Sequence, residues 1–120
     1  MAVSEEYRTF ARELFSQFGD VSIRAMFGGA GIFRDDLMFG LIIEDQIYLK
    51  VDDHNRADYE AAGQGPYQSR RKNGGTIAMS FYLIPDRLYD DADELAEWAK
   101  NAFAAARRGA VNKAPRKRKK

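Results

Sequence analysis

From Ser4 onward, apolar side chains recur at Tyr7, Phe10, Ala11, Leu14, Phe15 and Phe18, spacings of three and four that put them on one face of a helix. Ser4 is a suitable N-cap, Glu5 and Glu6 oppose the positive end of the helix dipole, and Gly19 supplies a stop. A second helical pattern starts near Asp91, with Glu94 in capping-box position. Its inward face reads Leu95, Trp98, Ala99, Ala102, Phe103 and Ala106, and Arg107, Arg108 and Gly109 close it.

Between these helices the period falls to two, or gives way to short apolar runs. "GIFR" and "LMFGLII" flank Asp35-Asp36 as a hairpin, and "QIYLKV" follows Glu44-Asp45, so a three-stranded meander is predicted. Its middle strand is apolar on both sides, with Leu37, Phe39, Leu41 and Ile43 on one and Met38 and Ile42 on the other. That pattern predicts a cover on each face, either from helices or from a second copy of the chain, the latter making a homodimer. A short helix is predicted over Asp53 to Ala62, stopped by Gly63. "YQSRRK" and "TIAMSFYLI" form a last pair around Asn73-Gly74-Gly75. The expected fold is α+β, an antiparallel five-stranded sheet with helices in the order α-β-β-β-α-β-β-α.

Charge divides the chain in two. Residues 107–120 hold 8 of the 19 lysines and arginines and none of the 18 acids, so the tail is +8 and residues 1–106 are −7. The expected organisation is an acidic folded domain, 1–106, with a basic, disordered tail, 107–120. Arg107, Arg108, Lys113, Arg116, Lys117, Arg118, Lys119 and Lys120 are the candidate nucleic-acid contacts, through salt-dependent attraction to phosphate. The absence of cysteine excludes thiol nucleophiles, zinc-thiolate sites and disulfides. With no signal-peptide pattern and no run near the ~20 apolar residues of a membrane span, a cytoplasmic protein that does not enter membranes is expected.

Catalytic motifs are not apparent. Gly28 to Gly31, "GGAG", runs into strand and turn rather than a helix N-terminus, and Arg34 stands where a dinucleotide-binding glycine would be. These glycines read as a bend, a bulge or close packing against a helix. "DDHNRADYE", Asp52 to Glu60, fails the calcium-loop pattern at Ala57 and Asp58 and reads as an acidic helix start; His54 reads as a surface or capping residue, and no metal site is assigned. Ser4, Ser16, Ser22, Ser69 and Ser80 lack a nucleophile elbow. Arg70, Arg71 and Lys72 read as a charged strand edge.

Five pieces together resemble the N-terminal domain of the TfoX/Sxy family of bacterial competence regulators: Met26-Phe27-Gly28-Gly29, Met38-Phe39-Gly40-Leu41, Tyr48-Leu49-Lys50-Val51-Asp52, Asn55-Arg56, and Ser80-Phe81-Tyr82 with Pro85. The similarity runs from about Tyr7 to Ala105. It implies an α+β domain with no enzymatic activity, no cofactor and no catalytic residues. Met26, Phe27, Gly28, Gly29, Gly31, Gly40, Tyr48, Lys50, Asn55 and Arg56 are then motif positions with a structural role. It also implies action in transcription regulation, through a protein partner, as co-activators of competence genes. Family regulators continue into a second, helical domain where this sequence has its basic segment, so a stand-alone domain is expected. The alternative class is a small-ligand-binding protein or small enzyme, with a cleft beside the glycine bend and an anion held by Arg24, Arg34 or Lys50.

Overall fold

Helix α1 (Glu5–Leu14) begins where the Ser4 hydroxyl accepts the Tyr7 amide N–H at 3.0 Å, and its Ala11 and Leu14, with Phe15 just beyond, are buried. The computed structural model describes residues 3–26, 28–70 and 76–118, with the backbone alone at 69–70, 76–78 and 112–118. After α1 come β1 (Ser22–Met26), β2 (Gly29–Arg34), β3 (Leu37–Ile43), β4 (Gln46–Lys50), α2 (Arg56–Ala61), β5 (Pro66–Arg70), β6 (Thr76–Leu83), a 3-10 turn (Asp86–Asp90) and α3 (Ala92–Arg118). All strand pairings are antiparallel, in the order β1-β2-β3-β4-β6-β5. The α+β class and antiparallel sheet are as expected; the sheet has six strands rather than five.

The additional strand is β1. Of its residues only Ile23 is buried, because β1 lies at the sheet edge, so the alternation that marks a half-buried strand is missing from its sequence. The two predicted acidic turns are present. Asp35, Asp36, Glu44 and Asp45 all have positive φ, 52° to 64°, the backbone of the type I′ hairpin whose twist matches that of the flanking strands. The third predicted turn, at Asn73-Gly74-Gly75, lies outside the described residues.

A bulge in β3 changes which residues share a face. Ile32 pairs with Gly40 but Phe33 pairs with Met38, so Phe39 is the extra residue. The extra residue resets the alternation. Phe39 and Ile42 both enter the core, whereas Leu41 pairs with Gly31 on the opposite face, the one that holds Met38. The expected grouping of Leu41 and Ile43 with Phe39 is therefore corrected: they lie on the side of Met38.

The core lies on one side of the sheet. Phe39 meets Phe15, Phe18 and Phe103 at ring-centroid distances of 5.9, 5.2 and 5.9 Å, and Tyr59 of α2 packs edge-on against Trp98 of α3 at 4.7 Å. Such tilted and perpendicular pairs are the favoured aromatic geometries. Leu95, Ala99, Ala102 and Ala106 form the buried stripe of α3. Its start uses half of the predicted capping box: Asp91 Oδ1 accepts the Glu94 N–H at 3.0 Å, but the Glu94 carboxylate turns to Arg87 at 2.7 Å. Nor does the helix close at Gly109. It continues to Arg118, with Gly109 inside it.

Candidate functional site

The connection from β4 to α2 is tied by a knot of hydrogen bonds. Asn55, 3 % exposed, is the one buried polar side chain among the described residues. Its Oδ1 accepts the Asp52 N–H at 2.8 Å, and its Nδ2 donates to the Lys50 carbonyl at 3.1 Å. A single carboxamide thus satisfies a donor and an acceptor that the end of β4 leaves unpaired. The Asp52 carboxylate accepts the His54 N–H at 2.9 Å, and the Arg56 N–H donates to the Asp52 carbonyl at 3.1 Å. Asp53 to Asn55 are occupied by this knot, so α2 starts at Arg56 rather than at Asp53 as expected.

Asp52 also holds the end of the fold. Arg108 of α3 reaches it with two parallel bonds, Nε to Oδ2 at 2.7 Å and Nη2 to Oδ1 at 2.9 Å. The Arg108 hydrogen bond, assisted by the His54 N–H, holds the Asp52 carboxyl down at about 2 against the opposing effect of partial burial. A carboxyl lowered in the folded state contributes stability above its unfolded value of about 3.9, and that contribution disappears as pH falls towards 2. Arg108→Gln is expected to cost about 1 kcal/mol at neutral pH, the pair being partly screened by solvent. Urea unfolding of both proteins should show that difference shrinking as the pH is lowered from 4 to 2.

Beside this clamp runs a groove of about 420 Å³ lined by Lys50, Asp52, Arg56, Ser80 and Arg108 among others. Lys50 and Gly109 also line an adjoining cavity of about 350 Å³, whose walls are Leu37, Met38, Phe81, Ala106 and Ala110. The Lys50 Nζ donates to Ser80 Oγ at 2.8 Å and lies 5.1 Å from the centre of the Phe81 ring. Arg56 pairs with Asp53. The cations of the groove are thus tied to acceptors of the domain itself: Arg108 fastens α3 to the end of β4, Lys50 joins β4 to β6, and Arg56 closes a local pair with the residue three positions back.

The motif residues fall into two places. Lys50 and Arg56 line the groove, with the buried Asn55 bonded to the Lys50 carbonyl, and Tyr48, on the same face of β4 as Lys50, packs against Tyr67, ring centres 5.3 Å apart. Met26, Gly28, Gly29, Gly31 and Gly40 belong to the β1–β2–β3 region, where Gly28 takes φ +75° in the turn and Gly40 is buried. Phe27 lies outside the described residues. Arg107 is exposed and Arg108 is in the clamp; Lys113, Arg116, Lys117 and Arg118 are on α3, described by backbone alone, and Lys119 and Lys120 lie outside the described residues. The three cations of the alternative anion site do not converge. Arg24 stacks on Phe33 at 4.3 Å and pairs with Asp36, Arg34 stacks on Phe18 at 4.7 Å and donates to its carbonyl, and Lys50 alone lines the groove.

Sequence reasoning missed Asp52 and Ser80 as parts of one site. Asp52 stands 56 positions from Arg108, and no local pattern marks such a pair. Among the described residues no three His, Cys, Asp or Glu side chains are grouped to hold a metal ion, and no helix is long and apolar enough to cross a membrane.

Comparison with known proteins assigns this fold and its motif residues to a class. Residues 13–106 match the TfoX N-terminal domain, so the chain belongs to that family. Among relatives, it is 28 % identical over 88 residues to the DNA transformation protein TfoX1 of Aliivibrio fischeri, covering 73 % of this chain and 39 % of that protein. It is 21 % identical over 96 residues to protein Sxy of Escherichia coli, covering 80 % of this chain and 46 % of Sxy. The chain therefore spans less than half the length of these relatives.

Proposed function

We propose that this chain is a non-enzymatic, cytoplasmic regulatory domain that acts in transcription through contacts with a protein partner, and that its basic segment, residues 107–120, attaches it weakly to nucleic acid. The observation that carries the reading is the family match over residues 13–106, together with the competence role of the relatives. The charge division supports the second part: an acidic body repels polyanions, whereas the +8 segment attracts them without regard to sequence. The groove fits a structural role, since its Arg108 is joined to the Asp52 carboxylate and ties α3 to the end of β4.

Transcript profiling tests the regulatory reading. A strain lacking the gene should show altered expression of a defined set of genes, DNA-uptake genes among them. The wild-type gene should restore the pattern. A charge-reduced variant combining Lys113→Gln, Arg116→Gln, Lys117→Gln, Arg118→Gln, Lys119→Gln and Lys120→Gln should restore it incompletely. Transcript levels unchanged by loss of the gene, in cells that make the protein, would overturn the proposal.

A further inference from the structure

Two parts of the fold run past the same end of the sheet. Strand β4 ends at Lys50, opposite Phe81, whereas β6 begins at Thr76, and its stretch from Thr76 to Met79 is paired with β5, Arg70 standing opposite Thr76. At about 3.3 Å per residue this overhang is about 13 Å long. Helix α3 arrives at the same end. Arg108 is bonded to Asp52, just past β4, and Ala106, Gly109 and Ala110 line a cavity together with Leu37, the first residue of β3, and Lys50, the last of β4. From there the helix continues to Arg118, about 15 Å further, with Lys113, Arg116, Lys117 and Arg118 along it. The groove of Lys50, Arg56, Ser80 and Arg108 joins the two parts, Ser80 from β6 on one wall and Arg108 from α3 on the other. Charge is uneven along β4. The acidic Glu44-Asp45 turn stands before its start, and the groove at its end sets three cations, Lys50, Arg56 and Arg108, against the carboxylates of Asp52 and Asp53. The Asp35-Asp36 turn at this end lies between β2 and β3, on the side of β4 away from β6, and Asp36 is paired with Arg24.

We propose that this end of the domain binds duplex DNA along its phosphate backbone, with Arg56, Arg70 and Arg108 adding contacts to those of the basic segment. The inference rests on the reading of residues 107–120 as a nucleic-acid attachment and extends that attachment onto the folded body. A helix anchored at Asp52 holds its cations in register with the groove, as a loose tail would not. A guanidinium has five N–H donors. Asp52 takes two of those of Arg108 and Asp53 one of those of Arg56, and a phosphate oxygen beside either carboxylate can accept others. The occupant is a duplex rather than a single strand. Single strands are held by bases stacked on exposed aromatic rings, and Phe81, the ring that lines the adjoining cavity, is 6 % exposed beneath Lys50. Phosphate contacts carry no sequence information, so the binding is independent of sequence.

Anisotropy of a labelled duplex titrated across a salt series with the full chain, Arg56→Gln and Arg70→Gln tests this. Each substitution is expected to reduce the salt slope by about 0.9 and to weaken binding about 8-fold at about 0.1 M salt, while the far-UV circular dichroism stays unchanged. Arg87→Gln, past the opposite end of β6, removes the same charge and is expected to leave the slope as it is. Wild-type slopes in both Arg56→Gln and Arg70→Gln, beside a lowered slope in the charge-reduced variant, would overturn this proposal and leave attachment through residues 107–120 standing. An equal loss in Arg87→Gln would overturn it too, because net charge rather than position would then govern binding. Tighter binding of the corresponding single strand would overturn the choice of a duplex. A full chain that binds no DNA at moderate salt would overturn both readings.

Discussion

Gly29→Ala is expected to destabilise the domain by about 3 kcal/mol. A Cβ at Gly29 would collide with the carbonyl oxygen of Ile42 and crowd the Ile43 side chain. The obstacle is backbone of the neighbouring strand, held by the β2–β3 ladder, and cannot rotate aside as a side chain can. Relief requires β2 and β3 to separate, in the part of the sheet that carries Ala30 and Ile42 into the core. Gly109→Ala is the control. Gly109 sits inside α3 with nothing within 4 Å of a new Cβ, so alanine there should stabilise by about 0.5 to 1 kcal/mol through helix propensity. Thermal melts of the two variants are expected to move in opposite directions; equal shifts would remove the steric account of Gly29.

The second large effect is expected at Asn55. Asn55→Ala deletes both arms of the carboxamide, leaving the Asp52 N–H and the Lys50 carbonyl without their partner where the chain leaves the sheet. Unsatisfied buried groups cost about 1 to 3 kcal/mol each, and the cavity left by the side chain adds to this, so a loss of about 3 kcal/mol is expected. Asn55→Asp separates the two bonds. Aspartate keeps an acceptor for the Asp52 N–H but has no donor for the Lys50 carbonyl, and it buries a negative charge close to Asp52. It should therefore be at least as damaging as alanine near neutral pH and recover as it becomes protonated. Chemical denaturation at several pH values reads this, and an Asn55→Asp protein as stable as wild type at neutral pH would show that the Nδ2 bond contributes nothing.

These two positions differ in how far the sequence discloses them. The glycines of "GGAG" were legible as a bend or a bulge, but not as the close approach of β2 to the Ile42 carbonyl of β3, since nothing in the sequence brings those two residues together. The acidic hairpin turns were legible too, as polar pairs between apolar runs. Strand β1 was not, since an edge strand with one buried residue has no period to detect. The Phe39 bulge was equally hidden: an apolar run such as "LMFGLII" has no polar positions to mark a change of phase. Gly109 read as a helix end because glycine usually stops helices, yet α3 passes through it and brings Arg108 to Asp52. The Asn55 knot and the Arg108 clamp form only once the sheet and helices have been assembled, and no spacing in the chain announces them.

The clamp also determines how the basic segment must be probed. Arg108 holds α3 to the domain, so a cut at residue 106 would disturb the fold as well as the charge. The decisive measurement is fluorescence anisotropy of labelled duplex DNA titrated across a salt series with the full chain and with the charge-reduced variant. The expected result is binding by the full chain whose logarithm falls linearly with the logarithm of salt concentration, with a slope of about −0.9 for each phosphate neutralised, and a slope reduced by several of those increments in the variant. No binding by the full chain at moderate salt, or equal binding by both proteins, would contradict the assignment of nucleic-acid attachment to residues 107–120.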